Sequence, residues 1–132
     1  MREKDVQTLL SRYLTTHEDI DMMVYELKLV NLSKNKSLPF NRIAEHQIDN
    51  LLKARKRLHY KIPDVGVSLK PFDAILLKNC QAYIAVCFYV VRKRKTVYFI
   101  NILDFVPLRC LSFKKSIRED TCQREAEFII NL

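Results

Sequence analysis

The sequence predicts an α/β fold in which a central mixed β-sheet is flanked by helices, and three observations predict it. Apolar residues recur at helical spacing at the start of the chain and again between Ile43 and Leu52. Runs dense in β-branched and aromatic residues lie before and after that second helical stretch. The resulting alternation of helix, strand, helix and several strands is the order of a layered α/β domain.

In the first element Val6, Leu9, Leu10, Tyr13 and Leu14 make an apolar stripe between about Arg2 and Thr15, an amphipathic helix with Glu3 in its first turn. From Ile20 to Leu32 no helical stripe survives, and the apolar density reads as a strand. The polar, basic "NLSKNKSLPF" is a loop, after which Asn41 is a candidate cap for a helix running to about Arg57. Ile43, Ala44, Ile48, Leu51 and Leu52 form its inner stripe. Gln47 falls at the edge of that stripe, where an amide needs partners, while His46 points to the polar side.

"HYKIPDVGVSLKPFD" holds Pro63, Pro71 and the only glycine, Gly66, and so reads as a turn-rich connection or a short hairpin. "FDAILL", "QAYIAVCFYVV" and "TVYFINILDF" then read as successive strands of one sheet, the last two joined at "RKRK" as a hairpin. Ser116 and Glu119 have the spacing of a capping box opening a terminal helix to about Ile130.

At 132 residues the chain is expected to form one domain spanning residues 1–132, long enough to bury roughly two thirds of its unfolded surface. Cys80, Cys87, Cys110 and Cys122 show no Cys-x-x-Cys spacing, and His17, His46 and His59 are scattered, which argues against a zinc site. No stretch reads as a secretory signal and no apolar run is long enough to span a bilayer, so the expectation is a cytoplasmic protein with reduced thiols and no membrane partner.

The net charge of +8, from 23 basic and 15 acidic residues, favours a polyanionic partner, nucleic acid before an anionic membrane surface. Nine of the basic residues but only three acids fall between Lys34 and Lys70. Lys34, Lys36, Arg42, Lys53, Arg55, Arg57 and Lys70 are the candidate phosphate contacts, with Arg92 to Lys95 as a second cluster. Such contacts supply affinity without sequence reading and make binding fall with salt.

Within the first strand, "YELKLV" puts Glu26 and Lys28 on one face of an otherwise apolar segment. A charge there has to be paired, hydrogen-bonded or coordinated, so the tripeptide is a structural ion pair or a site. The wider stretch "YELKLVNLSKNKSLPFNRIAEHQIDNLL" combines a strand ending in Glu-x-Lys, a polar loop with Ser37 and Phe40, and a helix bearing His-Gln followed by two leucines. In this it resembles the RecU-type Holliday junction resolvases of the PD-(D/E)xK nuclease superfamily.

The resemblance implies a restriction-endonuclease-like core and a Mg²⁺-dependent phosphodiesterase, Mn²⁺ being able to substitute. Glu26 and an aspartate would ligate the metal with a backbone carbonyl such as that of Leu27, Lys28 would orient the attacking water, and Gln47 would extend the site. In the family the aspartate lies on the strand before Glu-x-Lys, but here only Asp19 and Asp21 precede Glu26, within a few residues. Asp73 is the better-looking aspartate, which implies a permuted strand order in which Asp73 faces Glu26 across neighbouring strands. Asp64 competes with it, as a site residue or a turn aspartate, and Glu3 is a further acid that either completes the site or lies on the surface.

The expected activity is cleavage of branched DNA in a prokaryotic or viral setting. Two symmetric cuts in a four-way junction call for a homodimer. The alternative is a catalytically inactive nuclease fold that binds nucleic acid or assembles on it.

Overall fold

The computed structural model describes residues 2–64, 66, 69–111 and 113–132. Helix α1 (Glu3–Thr16) begins where the Asp5 carboxylate accepts the Arg2 N–H at 3.0 Å, and it buries Val6 and Leu10 completely. Strand β1 (Met23–Asn31) follows, ending in a tight turn held by bonds from the Lys34 and Asn35 N–H groups to the Asn31 carbonyl, both 2.9 Å. A short β2 (Ser37–Pro39) and a 3₁₀ turn (Phe40–Arg42) lead into helix α2 (Glu45–Lys56).

The next pair is a hairpin of β3 (Arg57–Lys61) and β4 (Ala74–Lys78), then come the long strands β5 (Gln81–Val90) and β6 (Arg94–Asn101). Helix α3 (Ile102–Leu111), β7 (Ser116–Arg118), α4 (Glu119–Glu125) and β8 (Phe128–Asn131) complete the chain. The central sheet has the order β1-β5-β6-β8 and is mixed: β1 runs parallel to β5, with α2 in the crossover between them, and the other two pairs are antiparallel. Two small ladders, β2 with β7 and β3 with β4, lie outside it.

Period-two alternation divides the sheet's side chains between two layers. Tyr25, Leu27, Tyr83, Ala85, Cys87, Val97 and Phe99 pack with Val6 and Leu10 of α1. On the opposite face Ala82, Ile84, Val86, Phe88, Tyr98 and Ile100 meet Ile48 and Leu51 of α2 and Phe105 of α3. β5 is buried on both faces, which is why its sequence is an unbroken apolar run rather than an alternating one. Glu26 and Lys28 share the parity of Val24 and Val30, so they point to the α2 face.

Polar ties fix the far end of the chain. Arg94 donates from both terminal nitrogens to Glu119, at 2.7 and 2.6 Å, and the Tyr98 hydroxyl donates to the same carboxylate at 2.7 Å. Together they clamp the first turn of α4 to β6. The arginine's hydrogen bonds hold the Glu119 carboxyl below the usual range, while burial and the neighbouring carboxylate push the Tyr98 hydroxyl up to about 12. Tyr83 also donates to Glu127, tying β5 to the start of β8.

Several expectations are corrected. "FDAILL" does not join the central sheet. Its strand, β4, pairs with β3, and β5 takes the place beside β1. The helical residues after Asn101 belong to α3, not to a strand reaching Phe105: the Asn101 side chain accepts the Leu103 N–H at 3.0 Å and starts the helix, and Pro107 sits inside it. The terminal helix stops at Glu125, and Phe128–Asn131 forms a strand whose Ile130 fills the α1-side core. Asn41 lies in the 3₁₀ turn, and Ala44 takes the cap position of α2. The hairpin at "RKRK" is found, with Val90 opposite Arg94 and Arg92 at a left-handed φ of 63°.

Candidate functional site

The apolar parity of β1 decides where its two charges go, because Tyr25, Leu27 and Leu29 have to face α1 and so turn Glu26 and Lys28 toward α2. On the sheet β1 is flanked by β5 alone, and this edge position keeps Glu26 in contact with solvent. The Lys28 Nζ stands 3.2 Å from Glu26 Oε1, with the lysine side chain 13% exposed and the glutamate 28%.

A third residue reaches the same oxygen. Gln47 donates from Nε2 to Glu26 Oε1 at 2.8 Å, while its own Oε1 accepts the Ala44 N–H at 3.0 Å. The second bond satisfies one of the unpaired amides at the start of α2 and fixes which end of the glutamine faces β1. One side chain therefore caps the helix and orients the carboxylate. Below it, Arg42 donates from Nη1 to the Leu29 carbonyl at 3.1 Å, fastening the polar loop to the end of β1.

Glu26 and Gln47 open onto a cleft of about 430 Å³ between β1, α2 and the β3–β4 hairpin. His46, Asn50 and Tyr60 add polar groups, and Leu51, Leu58 and Leu77 supply apolar wall. Asn50 and Tyr60 were not singled out from the sequence. Asn50 lies three positions after Gln47, one turn along the same helix face, and that spacing is a legible signal. Tyr60 enters only because the hairpin folds back over α2, which no local pattern announces.

The structure separates the other acids from this site. Asp73 precedes β4, its side chain is 93% exposed, and it pairs with Lys70 at 3.4 Å, so the proposed meeting with Glu26 across one ladder does not occur. Asp64 binds the same Lys70 at 2.8 Å. Lys70 is thereby occupied by two carboxylates rather than free for phosphate. Glu3 is exposed on α1, the helix on the face opposite to the one Glu26 points to.

Among the described residues no three His, Cys, Asp or Glu side chains lie close enough together to hold a metal ion. Glu26 is the only carboxylate among the described residues that line the cleft, and Lys28 and Gln47 both meet it at Oε1.

The expected phosphate contacts divide in two. Lys34, Lys36 and Lys53 are exposed, as is Arg57 at the start of β3, whereas Arg42, though exposed, is tied to the Leu29 carbonyl and Arg55 donates to the Gln81 side chain at 3.1 Å. Compared with family models, curated proteins and solved structures, the chain finds no match. Among the described residues no helix is long and apolar enough to cross a membrane.

Proposed function

We propose that the protein is a Mg²⁺-dependent DNA endonuclease with a restriction-endonuclease-like core, acting on branched DNA as a homodimer in the cytoplasm of a prokaryotic or virus-infected cell. The observation that carries the reading is the convergence of Lys28 Nζ and Gln47 Nε2 on Glu26 Oε1, at 3.2 and 2.8 Å, on the open edge of the sheet. The donor set fits magnesium in part. A hard cation of this kind is commonly held by one or two carboxylates, several waters and the substrate's phosphates, and Glu26 provides one carboxylate.

When bound, the ion would supply an acidified water and a counter-charge for the phosphorane. The residues of the chain do the rest. Gln47 holds the Glu26 carboxylate in place from the helix, and Lys28 places an ammonium donor where charge develops on the phosphoryl oxygens. Lys34, Lys36, Arg42 and Lys53 would track the backbone on either side.

Labelled four-way junction and linear duplex, incubated with Mg²⁺, test the proposal. Wild-type protein should cut the junction, and Lys28→Ala and Glu26→Gln should each slow cutting at least about 100-fold, the scale of removing one preorganised group from an active site. Cutting that is unaffected by both substitutions overturns it. One observation favours a second reading, binding without cleavage: among the described residues that line the cleft, Glu26 is the only carboxylate. That reading expects junction binding with no metal-dependent product.

A further inference from the structure

The β3–β4 hairpin has two dissimilar faces. In an antiparallel ladder directly opposed residues share a face, and the register pairs Leu58 with Leu77 and Tyr60 with Ile75. These four line the cleft beside α2. The other face carries Arg57 opposite Lys78, His59 opposite Leu76 and Lys61 opposite Ala74. Arg57, His59, Lys61, Leu76 and Lys78 are all exposed.

Two features of that outer face call for an anion. Arg57 and Lys78 are like charges on residues placed directly across the ladder, their Cβ atoms about 5 Å apart, an arrangement that is unfavourable in a hairpin. Nor does any carboxylate among the described residues form an ion pair with Arg57, Lys61 or Lys78, so all three charges of this face are left to solvent or a ligand. An anion lying along the ribbon would offset that repulsion.

We infer that this hairpin is a groove-binding arm, a two-stranded ribbon that enters the major groove of B-form duplex DNA with Arg57, Lys61 and Lys78 against the phosphates that border it. The dimensions agree. Two strands about 4.8 Å apart with their side chains match a groove about 12 Å wide, and five-residue arms run about 17 Å along it. The major groove of duplex RNA is too narrow and deep for such a ribbon. This inference rests on the nucleic-acid reading above, but it needs neither metal nor cleavage.

The test is fluorescence anisotropy with a 20-base-pair DNA duplex in EDTA, between 50 and 200 mM salt. The triple variant Arg57→Ala, Lys61→Ala, Lys78→Ala should lose three counterion-releasing contacts, so its affinity should fall about 40-fold less across that salt range than the wild type's. A control variant, Lys4→Ala with Arg12→Ala on α1, should keep the wild-type slope. Duplex whose cytosines carry glucosylated hydroxymethyl groups, which fill the major groove, should bind at least about 10-fold more weakly, as should duplex RNA of the same sequence.

An unchanged slope in the triple variant overturns the inference. Equal binding to glucosylated DNA or to RNA overturns groove entry, and competition by polyglutamate as effective as by DNA points to an acidic protein instead. Circular dichroism of each variant checks that the exposed substitutions leave the fold intact. A protein that binds in this way but never cuts refutes the nuclease proposal and leaves the arm standing.

Discussion

The Glu26–Lys28 contact yields a prediction that a double-mutant cycle can measure. At 3.2 Å two unit charges attract by about 1 kcal/mol in bulk water and by about 5 kcal/mol at an effective dielectric near 20. Desolvation of the mostly buried ammonium offsets part of the larger figure, and the half-open carboxylate keeps some water. The net coupling should therefore be about 1–3 kcal/mol. Lys28→Met should cost about 1–2 kcal/mol, since Glu26 retains Gln47 and solvent. Glu26→Gln should cost about 2–4 kcal/mol, because it leaves a buried ammonium without its anion. The double variant should be more stable than the sum of the two predicts. Urea unfolding of the four proteins at pH 7 in 50 and 500 mM NaCl gives the coupling directly, and a shielded pair in contact should keep more than half of it at the higher salt. A coupling below about 0.3 kcal/mol at both salts is within ordinary additivity error, and it would refute the claim that these side chains face one another on the α2 side.

Gln47→Leu should lower the melting temperature by about 3–10 °C, through loss of both the bond to the Ala44 N–H and the bond to Glu26, as read by calorimetry. Glu119 titrates below its ordinary range in the fold, so its contribution is complete above the unfolded carboxyl value near 4.3 and is lost as pH falls through the lower folded value. Glu119→Gln should accordingly cost roughly 1–2 kcal/mol at pH 7 and much less at pH 3, allowing for the partial exposure of Arg94, with denaturant midpoints at the two pH values as the check. Burial pushes the Cys87 and Cys122 thiols up to about 12 and also encloses Cys80, whereas Cys110 is exposed. Ellman's reagent at pH 8 should thus titrate one thiol per native chain quickly and the other three only after unfolding. Asp73→Asn, at an exposed position away from Glu26, should leave any metal-dependent cutting within about threefold of wild type.

The parts of the fold written in local periodicity were readable. The stripe of Val6 and Leu10 gave α1, the parity of Glu26 and Lys28 was correct, and the turn at Arg92 closed the expected hairpin. What local pattern cannot carry is partner choice. The apolar runs of β4 and β5 look alike, yet β5 is covered on both faces and takes the central position, while β4 lies over α2 with one face in water. Asp73 went with β4, and the expected carboxylate pair went with it. The failure at Ile102 has another cause: an apolar run continued across a strand end, and only the Asn101 side chain, accepting the Leu103 N–H, marked the change to helix. Gln47 was legible because an amide at the margin of an apolar stripe needs a partner inside, and Glu26 is that partner.

That glutamine makes architecture and chemistry inseparable at one position. A residue that only capped α2 could be exchanged for aspartate or serine, and one that only steadied a carboxylate could be moved to a neighbouring loop. Because the same amide meets both demands with its two ends, a drift of α2 by one residue would unseat the acid, and a change of the acid would loosen the first turn of the helix. Attempts to retune this cleft by design will have to alter positions 26 and 47 together.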